Sequence, residues 1–450
     1  MGPDMQDAGN VDNPDVLVAG GGPAGSTIAT LLARRGWRVC LLEKDRHPRF
    51  HIGESLLPMN LPILERLGVL EAVRAIGVHK AGADFPIDAQ RTNTFHFRRA
   101  LGARHDHAFQ VRRDAFDALL FAHARAAGVD AREGAEVTAV EWDERGAARV
   151  SVREAGAERA LRPRYVVDAS GRDTLLARQL RLKRRNPRHQ SAAIFSHYLG
   201  VSRREGEDAG NISILRFEHG WIWLIPLSDG LTSVGAVCSP DYLKTRRGDR
   251  EGFLAQTLLA IPQVAARMQG AERAAPVHVT GNYSYACDAL GGRGWIAVGD
   301  AYAFIDPVFS SGVFLAMDSA EQGAEVVDGA LREPARERGL QQAMRRRLER
   351  GTDEFRWFIY RFNSPVMREL FARPRNHWQI EQAVISMLAG DVFDNPAVRR
   401  RLRAFRMVYR LTALRMAPQA LRSWWRRRAD ARAAFAEDTL QSSASQGGRA

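Results

Sequence analysis

Apolar and polar positions follow two different periods along this chain. Val16-Leu17-Val18-Ala19 is a short unbroken apolar run, which predicts a strand buried on both faces. It ends in the turn Gly20-Gly21-Gly22-Pro23-Ala24-Gly25, and an Ala/Leu-rich helix follows over 26–35, stopped by Gly36. Residues 38–43 form a second apolar strand ending at Glu43. A helix is predicted over 110–123, opening on Arg112-Arg113-Asp114, and 164–171 reads as a strand ending in a Gly turn. From about 190 to 240, apolar and polar residues alternate between glycines, which predicts antiparallel sheet. Residues 295–300 are a further strand ending in Gly299-Asp300, followed by a helix over 311–327. The pattern over 335–430 is helical, broken near Pro365, Pro374, Pro396 and Pro418. The Ser/Gln/Gly-rich end from 439 predicts a disordered tail. No internal repeat is visible.

Composition narrows the class. The 450 residues are 45% hydrophobic and 26% charged, an ordinary globular balance that fits two or three structural units. Cys40, Cys238 and Cys287 are too far apart for a zinc site or a disulfide framework, so no metal is expected and a reducing, cytoplasmic compartment is the default. The polar, acidic start is not a secretory signal, and no run reaches the roughly 18 apolar residues of a membrane span. The net charge of +13 is local: 399–432 holds twelve arginines against the single acid Asp430. Only Lys44, Lys80, Lys183 and Lys244 among 65 basic residues are lysine. A GC-rich coding bias accounts for that, and makes a retained lysine more informative.

The first chemistry-bearing motif is Gly20-x-Gly22-x-x-Gly25 between a strand and a helix, with Glu43 at the end of the next strand. The glycines let a pyrophosphate approach the backbone, the helix start favours its charge, and the carboxylate suits a ribose hydroxyl. Ala24 and Lys44 flank these groups. The alternative, a Gly-rich turn without a ligand, does not need the whole set. The two later strand-turn pieces, 168–171 and 299–300, separated by a sheet-like insert, favour FAD over NAD. Residues 14–330 resemble the flavoprotein monooxygenase superfamily, the hydroxybenzoate-hydroxylase-like fold. That resemblance implies that Asp300 faces the flavin ribose and that Arg112 or Arg113, with Arg112 preferred, lies near the flavin.

Three motifs go further: His51-Ile-Gly-Glu-Ser-Leu-Leu-Pro58, Gly220-Trp-Ile-Trp-Leu-Ile-Pro226 and Phe304-Ile-Asp-Pro-Val-Phe-Ser-Ser-Gly312. Together they resemble the flavin-dependent halogenases. Gly77-Val-His-Lys-Ala-Gly-Ala-Asp-Phe85 is similar to the segment around that family's active-site lysine, in its phenol- and pyrrole-type version, and implies Lys80. The resemblance implies that reduced FAD, oxygen and chloride or bromide give hypohalous acid, which Lys80 directs to an electron-rich aromatic ring. An ammonium can hydrogen-bond hypohalous acid and a neutral amine can form a haloamine, whereas guanidinium stays protonated. Lys80 would otherwise be an ordinary loop lysine.

The remaining roles carry alternatives as well. Ser311 and Gly312 open a helix next to Pro307, where N–H groups suit a halide; the alternative is a turn that only packs the flavin. Trp221 and Trp223 lie two apart on a strand, so their rings share one face; they are either core packing or the family's wall between flavin and substrate, which suppresses hydroxylation. Glu54 and Ser55 are expected to shape the strap between flavin and Lys80. The general base is not identifiable; His79, Asp84 and Glu54 are merely near in sequence.

The expected fold class is α/β: an FAD-binding Rossmann-like module of hydroxybenzoate-hydroxylase type, with an inserted antiparallel sheet and a helical C-terminal part. The expected boundaries are 13–83, 108–190 and 281–330 for the FAD module. The substrate sheet is expected over 84–107 and 191–280, helices over 331–438 and the tail over 439–450. With no second nucleotide motif, reduced FAD is expected from a separate flavin reductase. The substrate is an aromatic small molecule or an acyl-carrier-protein-tethered acyl group of secondary metabolism. The Arg-rich segment reads as a solvated helix face, a carrier-protein dock or a peripheral membrane contact, and nucleic acid is not needed to explain it. The rivals are an aromatic hydroxylase, a polyene- or prenyl-reducing flavoenzyme, and a flavin-binding scaffold without turnover.

Overall fold

The computed structural model describes residues 13–417, except 89, 103–104, 187–189, 282–283 and 375. The tail and the 424–428 part of the Arg-rich segment lie outside the described residues. The apolar run Val16–Ala19 is a fully buried strand. It pairs in parallel with Val39–Glu43 on one side and with Tyr165–Asp168 on the other. Asp130–Glu133 and Trp295–Ala297 extend the sheet in parallel at its two sides, and Gly291–Gly292 adds a short antiparallel edge. The sheet therefore grows in both directions from Val16–Ala19, and a ligand crevice opens beyond the C-terminal ends of strands at such a switch point. Helix Pro23–Ala33 starts there with proline at its first position, where the missing N–H is unneeded. It packs against the long helix Gly312–Arg332.

Ala135–Trp142, Ala148–Glu154 and Ala157–Leu161 form a separate antiparallel meander. A larger eight-stranded sheet holds the strands at 192–199, 212–217, 220–226 and 232–238, and Gly82–Pro86 joins it in parallel beside Ile212–Phe217. Its two faces have different company. Trp221, Trp223, Ile225, Ile212 and Ile214 pack into the main core. Ile222, Leu224, Val234 and Ala236 pack into a second core with Phe253 and Leu258 of helix Arg250–Leu259. Gly235 lies opposite Trp223, and a Cβ there would sit 2.4 Å from the indole ring, so the ring occupies the space a side chain would need.

Helices Glu337–Ile359, Pro365–Ala372 and Ile380–Leu388, and a last helix over 396–417, complete the described chain. Three expected helices move, and the one expected over 26–35 spans Pro23–Ala33. The helix predicted from 110 begins at Arg113, because Ala108–Gln110 is a strand paired with Val78–Lys80. The helix predicted over 311–327 runs to Arg332. Among the described residues, no helix is long and apolar enough to cross a membrane.

Candidate active site

One continuous cavity follows the ends of the parallel strands and reaches the large sheet. Gly20, Gly22, Ala24, Glu43, Lys44, Asp300, Pro307 and Gly312 line it together with Glu54, Ser55, Trp221 and Trp223. At the turn, Gly20 has φ +108°, and a Cβ on Gly25 would sit 1.8 Å from the Gly20 oxygen, so only glycines permit this crossing. Glu43 is buried and accepts from the Gly21 N–H at 2.7 Å and the Asp45 N–H at 3.0 Å. Lys44 sits at the rim and donates to Asp173 at 2.6 Å.

Asp300 carries no side-chain hydrogen bond among the described residues, and burial raises its carboxyl to about 6 despite Arg172 and Arg113. Ser311 Oγ is buried without a partner, and a Cβ on Gly312 would meet nothing within 4 Å. An unpaired carboxylate, an unpaired hydroxyl and open space before a glycine fit a flat, hydroxyl-bearing ligand such as FAD.

Of the two candidates, Arg113 and not the preferred Arg112 lines the cavity, alongside Arg49, Arg172 and Arg178. Arg112 does not line the cavity; it turns to Asp114 at 2.7 Å and Asp229 at 3.6 Å. Arg113 is buried, grips Asp117 with two bonds of 2.8 and 2.9 Å, and donates to the Ile52 oxygen at 2.7 Å. Arg49 lies between Asp117 at 3.4 Å and Glu43 at 3.3 Å. This chain of charges ties Glu43 to the strap over 51–56. His51, lining the cavity beside Arg113, is pushed down to about 4 by that charge and by burial, so it is neutral at pH 7.

The strap continues as an edge on the strand Ala108–Gln110: Leu56 N–H donates to Phe109 O, and Val111 N–H donates to Glu54 O. Val78–Lys80 pairs with that strand on its other side. Lys80 is only 1% exposed and does not line the cavity. Its Nζ donates to Ser55 Oγ and to Leu56 O, each at 2.9 Å, with the Phe97 ring centre 5.3 Å away. Burial, with no facing carboxylate among the described residues, lowers its amine to about 7, so both charge states are populated at neutral pH. Ser55 thus joins the lysine to the cavity.

Trp221 and Trp223 are buried on strand Gly220–Pro226, with ring centres 5.7 Å apart and planes tilted 47°. Trp223 Nε1 donates to Ser233 Oγ at 3.1 Å. Glu54 Oε1 accepts from His197 Nε2 at 2.6 Å, while its second oxygen is buried without a partner. Sequence reasoning named Arg113 only as the alternative to Arg112 and missed Arg49 and His197. The i,i+4 pair Arg113/Asp117 on a predicted helix was the available signal for the first; nothing in the local sequence marks the other two. Asp84 is not aimed at this cavity; it accepts from Thr94 at 2.8 Å and Asn211 at 3.3 Å.

Comparison with known proteins agrees with this geometry. The "FAD binding domain" family model matches residues 13–357. A tryptophan 2-halogenase of Chondromyces crocatus is 40% identical over 312 residues, covering 68% of this chain and 59% of that protein's length. The 1H-pyrrole-2-carbonyl-[peptidyl-carrier protein] chlorinase of Pseudomonas fluorescens is 30% identical over 330 residues, covering 68% of this chain and 74% of that one. Among solved structures, a flavoprotein/dehydrogenase of Cytophaga hutchinsonii superposes with TM-score 0.82 at 28% identity, over 89% and 99% of the two chains. The flavin-dependent brominase Bmp2 superposes with TM-score 0.75 at 27% identity, over 88% and 99%. The fold and the cavity are those of the FAD-binding flavoproteins. Within them, this chain belongs to the flavin-dependent halogenases.

Proposed function

We propose that this protein halogenates an electron-rich aromatic ring, with chloride or bromide as the halogen source and Lys80 as the group that delivers it. The observation that carries the reading is the buried Lys80 amine, held by Ser55 behind a cavity built for FAD. Gly20, Gly22, Ala24, Gly25, Glu43, Lys44, Arg113, Asp300 and Pro307 would hold the cofactor. When bound, reduced FAD supplies the oxygen chemistry that turns halide into hypohalous acid. Ser311 and Gly312, at the start of Gly312–Arg332, offer N–H groups and one unpaired hydroxyl for the halide. Trp221 and Trp223 separate that end of the cavity from the ring to be modified, so oxygen is not transferred to carbon directly. Lys80 then meets the hypohalous acid. As the ammonium it donates to the oxygen; as the neutral amine it forms an N–halogen bond and releases water. Both place electrophilic halogen beside the ring.

Reduced FAD comes from a separate reductase, and the reaction belongs to secondary metabolism in the cytoplasm. The names of the relatives span tryptophan and a carrier-tethered pyrrole, so ring class rather than one substrate is proposed. The direct test incubates the protein with FAD, a flavin reductase, NADH and bromide over a panel of phenols, indoles and pyrroles. A product with the bromine isotope doublet is expected from wild type and not from Lys80→Ala. Hydroxylated product without halogen would favour the hydroxylase reading instead.

A further inference from the structure

Arg216 lies on strand Ile212–Phe217 in register with Trp221, so the two side chains leave the same face of the sheet. Its guanidinium carbon is 3.9 Å from the centre of the Phe362 ring and 5.2 Å from that of Phe371. Phe85 and Phe95 pack edge-on against Phe371. Phe309, two residues beyond Pro307, packs edge-on against Phe362. The chain enters this aromatic group from Lys80, since Phe85 lies on the very next strand, Gly82–Pro86.

Within this box Nε and Nη2 of Arg216 are buried and have no hydrogen-bond partner. No carboxylate pairs with it among the described residues. The charge that acts on it is another cation, Arg368; burial first and Arg368 second lower its guanidinium to about 9. Burying unpaired N–H groups is costly, and buried arginines are ordinarily paired. An apolar residue would fill the same space among phenylalanines without that cost. Arg216 therefore reads as half of a pair whose other half arrives with a ligand. Nε and Nη2 form one edge of the guanidinium, the edge that grips a carboxylate with two parallel bonds. A carboxylate bound in that plane leaves the Phe362 stacking on the guanidinium face intact.

We infer that Arg216 recognises a carboxylate on the aromatic substrate, whose ring lies among the phenylalanines beyond the Trp221 wall. This rests on the halogenation reading above and narrows it: the substrate is a free aromatic acid, not one tethered through its carboxyl as a neutral thioester.

The test is calorimetric binding to the FAD-loaded protein near neutral pH. The probes are 4-hydroxybenzoate and pyrrole-2-carboxylate, each beside its methyl ester. Charge-assisted bidentate bonds predict that the acids bind roughly tenfold to a hundredfold more tightly than the esters. Arg216→Gln removes that preference, and Arg216→Lys, which keeps the charge without the fork, retains part of it. FAD content and circular dichroism of both variants verify folding. Equal binding of acids and esters, no acid binding at millimolar concentration, or a preference that survives in Arg216→Gln each overturns the inference. Reoxidation of the bound flavin with and without halide, which needs no aromatic ligand, reports separately on the halogenation reading.

Discussion

Replacing Lys80 by methionine removes the amine while nearly conserving volume, and it separates catalytic from structural roles. Burial moves the amine from 10.5 to about 7. At about 1.4 kcal/mol per tenfold change in proton affinity, that is about 5 kcal/mol against the ammonium form in the folded state. The sign follows from proton counting. Between about 7 and 10.5 the unfolded chain binds the proton and the folded chain does not, so stability rises with pH across that window. Below about 7 both states are protonated and the full cost is present. Lys80→Met is therefore expected to be at least as stable as wild type near pH 6, and to lose that relative advantage above pH 10. Urea unfolding midpoints at a series of pH values read this out. The same variant should bind FAD normally, consume oxygen, and make no halogenated product. A variant that unfolds more easily than wild type at pH 6, with a difference independent of pH, would refute the reasoning about burial. Product at a wild-type rate would refute the catalytic role.

Other consequences can be checked in parallel. Trp221→Ala and Trp223→Ala remove buried indoles, at a cost of about 3–5 kcal/mol each, so melting temperature should fall while FAD stays bound; mass spectrometry of the products should then find hydroxylation alongside halogenation. Arg113→Ala leaves the buried Asp117 carboxylate only its longer contact with Arg49, so melting temperature and FAD affinity should both fall, whereas Arg112→Ala should change stability by less than about 1 kcal/mol. If ionised Asp300 accepts from the ribityl hydroxyls, fluorescence titration should show FAD affinity falling as pH drops through about 6, and Asp300→Asn should flatten that dependence.

Local sequence carries the dinucleotide end of the site well. The apolar run, the glycines and Glu43 are contiguous in chemistry and in chain, so strand, turn and carboxylate could be placed before any contact was known. Trp221 and Trp223 were legible for the same reason, since alternate residues of a strand share a face. Which arginine lines the cavity needed the helix phase. Arg112 caps the helix and turns outward, while Arg113 stands one turn before Asp117, and one position decides which is buried. The environment of Lys80 was not legible at all. It depends on the pairing of 78–80 with 108–110 and on the strap crossing the other edge, contacts made by residues 24 to 57 positions apart. The meander over 135–161 was missed although Ala148–Glu154 alternates buried and open positions; its partners Ala135–Trp142 and Ala157–Leu161 alternate less regularly. Arg216 gave no signal, since an arginine on a strand is unremarkable until its partners prove to be phenylalanines.

Whether this protein oxidises halide can be measured without any knowledge of the aromatic substrate. The protein carrying reduced FAD is mixed with oxygen in a stopped-flow spectrometer, with and without bromide or chloride, and the flavin absorbance is followed until the oxidised form returns. The account predicts that halide shortens the transient preceding oxidised flavin, in wild type and in Lys80→Met alike, because the halide step lies before the lysine. Time courses that superimpose with and without both halides would contradict it.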